Sequence, residues 1–567
     1  VSPTPPMQPL EDRVQRPSVA AFVGILAPLA CLVAVALSEA AYTWWTGTLF
    51  PLPSRTFLIG LLAAVPVIHL AEAWWVHRTA KRIGLVDSAG GWFRQTFLLG
   101  GPSTVLMARA AKEFFGPLPP GYQSPFALYP MERMQDHAAE FMAELQAAHG
   151  DVSMFRMLGH PWVVVNDPEA IYEILTKRAD KFHKAAVNPK IFRSFLGYGI
   201  LSADGEAWRR SHKMMMPAFH KKRIDAYAKV MVDFTRDMLD EWQAAEDRDV
   251  CADMNALTLA IVAKTLFDAD VRGEDAETVG EAMLTINHVL VEHIQMPIPF
   301  PRWWPSPKNR RKVKAVDAID AIVRRTIRER QESGEDRGDL LSMMLLSRDE
   351  AGEGMSETQL RDEAMTIFFA GHETTAHALT WAWYLLAKHP EVTKKAQAEV
   401  DEVLGDRAAG LADVKELPYI EQVTKEVMRL LPSVYVFMRE PIEDVVVGGY
   451  TLKKGWYILI SPYVLHRNER FGDPLEFRPE RWTKEMEKGL HKGAYVPFSA
   501  GARVCLGKVF AIMELKLIIA TLLQRVTPRI PEGHEPVMLQ QLSLNPKDGL
   551  PAIVELRPRE TPVSASA

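Results

Sequence analysis

The sequence predicts a mostly α-helical domain with a small β-rich subdomain, preceded by N-terminal transmembrane segments. Three observations predict it. From Met131 onward, amphipathic helical stretches alternate with short β-rich patches such as Val445 to Tyr450. Ser356-Glu357-Thr358-Gln359 has the order of a capping box and opens an apolar-rich stretch ending at Lys388-His389-Pro390, where proline stops a helix long enough to cross a domain. Val19 to Leu37 carries no charged residue and approaches the roughly 20 apolar residues that a bilayer crossing needs. With 567 residues, 48% hydrophobic and 24% charged, the chain has an ordinary globular balance and is too long for one small core. It shows no internal repeat or low-complexity tract.

The N-terminal elements come first. Thr56 to Val76 is a weaker second span, because it holds Pro66, His69 and Glu72. Arg13 and Arg16 precede the first span, Arg78, Lys81 and Arg82 follow the second, and Arg55 is the one basic residue between them. The positive-inside rule then predicts a hairpin with both ends cytoplasmic. Trp44, Trp45, Trp74 and Trp75 stand where indoles favour the membrane interface. Ala34-Val35-Ala36 offers a cleavage site for a signal peptide, but the apolar run is long for one and a second span follows it. Trp92 to Leu99 reads as an interfacial stretch and Pro117-Leu118-Pro119-Pro120-Gly121 as a stiff linker. The expected organisation is a cytoplasmic tail (1–17), a two-helix anchor (18–82), an interfacial and proline-bearing linker (83–130), a catalytic domain (131–558) and a flexible tail (559–567).

Global charge and cysteine usage exclude several classes. A formal net charge of −5 gives no reason to expect a nucleic-acid partner. Cys31, Cys251 and Cys505 are widely separated and lack paired spacing, so neither a disulfide framework nor a zinc site is indicated and a reducing compartment is expected.

Cys505 nevertheless sits in the most informative segment, Phe498-Ser499-Ala500-Gly501-Ala502-Arg503-Val504-Cys505-Leu506-Gly507, which precedes an apolar-periodic stretch from Val509 to Leu523. Phe498, Gly501, Arg503, Cys505 and Gly507 together resemble the cysteine loop of the cytochrome P450 family. The resemblance implies the P450 fold, haem b (iron protoporphyrin IX) as cofactor and Cys505 as the thiolate ligand of its iron, a ligand that favours O–O cleavage. It implies that Gly501 makes a tight turn, that Gly507 lets the chain pack against the porphyrin face, and that amides at the start of the following helix stabilise the thiolate. Arg503 would reach a propionate and Phe498 would shield the sulfur from water.

Further motifs resemble the same family in the same order, over about Met131 to the C-terminus. Ala370-Gly371-His372-Glu373-Thr374-Thr375 resembles the oxygen-binding motif of its long central helix: Ala370 and Gly371 would leave room for dioxygen, while Glu373 and Thr374 would deliver protons. His372 is expected to be a polar helix position and not an iron ligand. Glu426-Val427-Met428-Arg429 puts opposite charges at i and i+3, and with Pro479-Glu480-Arg481-Trp482 it resembles the structural triad Glu426, Arg429 and Arg481. Trp208 and His212 stand where the family places a tryptophan and a basic residue, more commonly arginine, against a propionate. Arg439 matches another propionate-binding arginine.

Arg209, Arg210, Lys213, Lys221, Lys222 and Arg223 cluster on the Trp208 helix and just beyond it, where an acidic electron donor would dock. The sequence carries no phosphate-cradling glycine fingerprint, so electrons are expected from a separate ferredoxin or flavoprotein reductase. The expected function is insertion of one oxygen atom from O2 into a lipophilic substrate (fatty acid, alkane, terpenoid or sterol-like) at the cytoplasmic face of a bacterial inner membrane or endoplasmic reticulum. Ala370 stands where some fatty-acid hydroxylases carry a glutamate esterified to haem, so that ester is not expected. A P450-like isomerase or peroxygenase, and a haem protein that binds ligands or carries electrons, stay open as alternatives.

Overall fold

The computed structural model describes residues 73–78, 118–122, 130–134, 137–157, 160–185, 192–219, 225–268, 282, 285 and 306–557, a few interior positions excepted. The chain divides into two compact units, Val1–Pro119 and Pro120–Ala567. In the first, the Arg78 guanidinium lies over the Trp74 ring at 5.2 Å. The expected span Val19–Leu37, nearly all of Thr56–Val76, and the Trp92–Leu99 stretch lie outside the described residues. Among the described residues one helix, Val250–Phe267, has the length and apolarity to cross a bilayer, but it is mostly buried and serves as a core helix.

The second unit carries ten described helices of seven residues or more: α1 (Ala138–His149), α2 (Gly205–Met215), α3 (Ala228–Asp240), α4 (Val250–Phe267), α5 (Pro307–Ser333), α6 (Leu340–Leu346), α7 (Glu357–Lys388), α8 (Pro390–Leu404), α9 (Pro418–Leu430) and α10 (Lys508–Arg525). Against them stands one six-stranded sheet in the order β1 (Gly121–Tyr122), β2 (Val152–Met157), β3 (His160–Val165), β6 (Tyr457–Ile460), β5 (Phe437–Pro441), β4 (Phe182–His183). β2 and β3 form an antiparallel hairpin, β3 runs parallel to β6, and β6 pairs antiparallel with β5 so that Arg439 faces Ile458 across the ladder. A small hairpin of β7 (Met538–Gln540) and β8 (Leu544–Pro546) lies near the C-terminus. Because Gly121 and Tyr122 pair with Met154 and Phe155, the end of the expected linker is already part of the main sheet, ahead of Met131.

Local chemistry sets the limits of α7. The Ser356 hydroxyl accepts the Gln359 amide at 3.1 Å, which satisfies one otherwise orphaned donor, and Pro390 opens the next helix after His389. Packing sets its course. Leu360 to Phe369 belong to one hydrophobic core with α5, α6 and the outer face of α4, whereas Ala376 to Leu386 belong to a second core with α1, α3, α8, α9 and α10. Each fully buried aliphatic or aromatic side chain in these cores contributes about 1.5–3 kcal/mol. Residues 370–375, small or polar, fall between the stretches of α7 that feed the two cores.

Candidate functional site

The Cys505 loop is shaped by backbone. Gly501 adopts φ +68°, and a Cβ there would collide with the carbonyl oxygen of Leu175 in the turn Glu173–Lys177, so both conformation and close approach demand glycine. The Cys505 amide donates to Phe498 O at 3.0 Å and the Val504 amide to Gly501 O at 3.1 Å, which closes the loop. Phe498 itself is half-buried against the larger core. Burial pushes the Cys505 thiol pKa up, opposed by hydrogen bonds from the Gly507 and Lys508 backbone amides at the start of α10 and by the Lys508 charge. The residue is nonetheless exposed. A side chain both accessible and desolvated stands on the wall of an internal cleft. Gly507 has an ordinary φ of −77°, and a Cβ there would sit 3.8 Å from Cys505 Sγ, so the space its hydrogen leaves is beside the sulfur.

The seam of α7 presents a second accessible interior position. Ala370 is exposed although Ala364 to Phe369, His372 and Glu373 are buried, so α7 borders a void at this turn. Gly371 does something else: a Cβ there would meet Val262 Cγ2 of α4 at 3.1 Å, so its smallness serves the close crossing of α4 and α7. The Thr374 hydroxyl donates to Ala370 O at 2.9 Å, and its carbonyl accepts the Ser433 hydroxyl at 2.7 Å. Glu373, 3% exposed, accepts the Ser543 hydroxyl at 2.5 Å on Oε1. His372 is buried, with Nε2 at 3.1 Å from Asn255 O, and so is a core contact between α7 and α4.

A cationic cluster gathers Arg439 from β5, Arg503 from the cysteine loop and His212 from α2. The Arg503 guanidinium lies over Trp208 at 4.3 Å, Trp208 packs on His212 at 5.0 Å, and Arg503 is paired with Asp204, the N-cap of α2. Arg439 donates to Met438 O at 2.9 Å and to Ser499 Oγ at 3.3 Å. Burial, then the Arg503 charge, pushes the Arg439 pKa down to about 10 and lowers that of His212. Two members have no motif to betray them. Lys184 donates through Nζ to Ile200 O at 2.8 Å and to Leu201 O at 2.5 Å, and burial followed by Arg503 and Arg439 pushes it down to about 7. His183 lies 3.5 Å from Glu440, whose hydrogen bond raises its pKa. Arg503 Nη1 is buried and finds no hydrogen-bond partner among the described residues. An orphaned guanidinium nitrogen among mutually repelling cations is a seat for a carboxylate. With a thiol and an open helix turn on cleft walls, these residues fit a flat group that carries acidic side arms.

The structural triad is closed and buried. Glu426 accepts Arg429 Nε at 2.8 Å and Nη2 at 2.9 Å, Arg481 Nε at 2.8 Å, Trp482 Nε1 at 2.9 Å and the Arg478 amide at 2.9 Å. The two arginines also hold the carbonyls of His466, Pro474, Glu476, Gly472 and Asp473. His466 Nε2 then accepts the Val496 amide at 3.0 Å, just upstream of Phe498. This network ties α9 to the segment that enters the cysteine loop.

The basic face of α2 is largely neutralised by the chain itself. Arg210 binds Asp349 at 2.7 Å, Gln359 at 2.7 Å and Gly354 O at 3.1 Å, Arg209 pairs with Glu206 at 3.1 Å, and Lys213 pairs with Glu350. Lys221, Lys222 and Arg223 lie outside the described residues.

Buried histidines give the domain an acid limit. Burial pushes His372 down to about 4 and both His377 and His466 down to about 3. Unfolding lets each bind a proton below its ordinary pKa of about 6.5. The stability these three histidines supply is therefore complete above about pH 6.5 and falls as pH drops toward the folded pKa values, by up to about 1.4 kcal/mol per pH unit for each. Glu514 on α10 acts oppositely: burial holds its carboxyl pKa well above 4.5, so its contribution is lost as pH rises. Urea unfolding at stepped pH should show a steep acid loss, flattened in His377→Phe; a flat profile between pH 4.5 and 6.5 would contradict it.

The family model described as cytochrome P450 matches residues 118–551. Cyclooctat-9-en-7-ol 5-monooxygenase of Streptomyces melanosporofaciens is 36% identical over 391 residues, covering 68% of this chain and 84% of that protein. Cytochrome P450 4V2 of Mus musculus is 33% identical over 421 residues, covering 69% and 79%. Pentalenene oxygenase of Streptomyces avermitilis is 30% identical over 411 residues, covering 72% and 91%. The crystal structure of the cytochrome P450DA haem domain superposes with a TM-score of 0.70 at 27% identity, covering 78% of this chain and 99% of that one.

Proposed function

This chain belongs to the cytochrome P450 family and is a haem b-binding monooxygenase, and on that footing we propose that it hydroxylates a lipophilic hydrocarbon skeleton of terpenoid or fatty-acid type, with electrons from a separate redox partner. What supports the substrate class is that its relatives include proteins named for the oxygenation of cyclooctat-9-en-7-ol and of pentalenene. The single observation that carries the oxygenase reading is the sequence-adjacent carboxyl of buried Glu373 and hydroxyl of half-buried Thr374, on the turn of α7 where Ala370 is exposed.

Haem b, when bound, supplies an iron at which dioxygen is reduced and cleaved, and a thiolate ligand donates electron density to it. In our reading Cys505 is that ligand, and the Gly507 and Lys508 amides favour its deprotonated form against the cost of burial. Arg439, Arg503, His212 and Trp208 orient the acidic side arms. Gly501 and Phe498 hold the loop in register, and Ala370 leaves the space in which the substrate's reacting carbon meets oxygen. Glu373 Oε1 holds and releases a proton, and Thr374 Oγ1 leaves its bond to Ala370 O to pass it on. The buried triad excludes water and keeps the loop folded.

Membrane attachment through Val19–Leu37 is part of the proposal, supported by that uncharged run. The test of function is a spin-shift screen over fatty acids, alkanes, terpenes and sterols, followed by turnover with dioxygen, reductant and a reconstituted donor. Product from hydroperoxide alone, with none from dioxygen and donor, overturns the reading. Thr374→Ala should retain haem yet lose on the order of tenfold or more in product per electron pair, with the balance released as hydrogen peroxide. Tight coupling in that variant would remove Thr374 from the proton path.

A further inference from the structure

The proton-handling carboxyl is not held by its own helix neighbours alone. The turn between β7 and β8 brings Ser543, which is 1% exposed, against α7, where its Oγ donates to Glu373 Oε1 at 2.5 Å. The same Oγ lies 2.9 Å from His377 Nδ1, and His377 stands one helical turn beyond Glu373 with Nδ1 4.0 Å from Oε1. A serine hydroxyl has one hydrogen. Since that hydrogen goes to Glu373, the hydrogen shared with His377 belongs to the imidazole, which fixes the Nδ1–H tautomer. The hydrogen bonds then run one way, from His377 Nδ1–H to Ser543 Oγ–H to Glu373 Oε1. The turn is itself anchored: the Leu544 amide donates to Ser433 O at 2.9 Å, Trp381 Nε1 donates to Leu544 O at 2.8 Å, and Ser433 Oγ donates to the Thr374 carbonyl. One C-terminal hairpin thus braces both residues of the acid–hydroxyl pair.

We propose that Ser543 and His377 are positioning residues that hold the Glu373 carboxyl from the hairpin side and favour its ionised form, so governing when Glu373 takes up the proton it delivers. This rests on the reading of Glu373 as a proton carrier. A donor aimed at a carboxylate stabilises the charged form. His377 cannot instead serve as a counter-cation, because burial holds its ring neutral down to about pH 3. Among the described residues, other titratable groups near this turn of α7 include His372 on α7 itself, Cys251 on α4, Glu514 on α10 and Tyr435 after α9, for each of which burial favours the neutral form, and Glu140 of α1, which accepts from Gln540 of the hairpin. The charged residues of α9 are consumed in the Glu426–Arg429 pair and the Lys425 bridges, α6 has none, α5 meets α7 through Asp320 and Arg361 near its start, and Lys394 of α8 pairs with Glu391.

The test uses the haem-loaded full chain. Glu373→Gln identifies the carboxyl band of Glu373 by its loss from the infrared difference spectrum, and that band is then titrated in wild type, Ser543→Ala and Ser543→Thr. Ser543→Ala should raise the titration midpoint by about one pH unit or more and move the pH profile of coupling by the same amount, with normal haem content. Ser543→Thr, which keeps the hydroxyl, should restore both. Wild-type midpoint and profile in Ser543→Ala, with coupling still lost in Glu373→Gln, would overturn the proposal. A shifted midpoint in Ser543→Ala with full coupling in Glu373→Gln would uphold the hydrogen-bond relay and overturn the proton-carrier reading instead.

Discussion

Cys505→Ser is expected to fold and to lose the long-wavelength absorption of the reduced carbon monoxide complex that marks thiolate ligation, with monooxygenase turnover falling to background. The sulfur must be deprotonated to bind a metal, and the structure supplies the means: two backbone amides at the head of α10 point at it, and Lys508 adds positive charge. A serine hydroxyl in the same place is far less acidic and a much poorer electron donor, so the same amides cannot make it an equivalent ligand. The fold should survive, because the loop closes through the Cys505 amide to Phe498 O and through Gly501, neither of which uses the side chain. Absorbance spectra of the purified variant, with haem content measured by pyridine extraction, check it. A variant that retained the thiolate band would remove Cys505 from the iron.

The second large effect is on stability. Arg429→Ala is expected to cost about 3 kcal/mol or more, since it removes two of the five hydrogen bonds on the wholly buried Glu426 carboxylate, leaving it to Arg481, Trp482 and the Arg478 amide, and takes their Arg429 donor from the carbonyls of His466 and Pro474. Against a net stability of about 5–15 kcal/mol for a domain, that is enough to deplete the folded population and, through His466 and Val496, to loosen the approach to the cysteine loop. Haem content and the urea midpoint should fall together. Arg429→Lys should recover little, because one ammonium cannot reproduce a fork that donates to a carboxylate and three carbonyls. An Arg429→Ala protein that melts like wild type would show that the network is dispensable.

Some features of this protein are legible because their physics is local. The limits of α7 rest on Ser356 capping its own helix and on Pro390, and the Glu426–Arg429 pair rests on i,i+3 spacing within one helix. Gly501 is required by a positive φ that its own loop imposes. The grouping of Cys505, Arg503 and Phe498 follows from residues a few positions apart. These are the features for which the sequence motif and the geometry meet directly.

Other features depend on how distant elements pack. Gly371 lies in the motif over the cleft, yet its missing Cβ is demanded by Val262 of α4. The basic residues of α2 look like a free face until Asp349 and Glu350, more than a hundred residues later, neutralise them. Lys184 and His183 join the cation cluster only because β4 pairs with the strand that carries Arg439. Ser543 meets Glu373 across 170 positions of chain, and Ser433 meets Thr374 across 59. Serine, histidine and lysine are common residues, and nothing in their immediate neighbours marks these particular ones. Local sequence marked the Cys505 loop, the limits of α7 and the triad's first pair, because backbone periodicity and turn conformation act over a few residues. Packing settled which groups hold Glu373, which cations share the carboxylate seat and which surface charges stay free, because those contacts exist only once two hydrophobic cores have closed around α7.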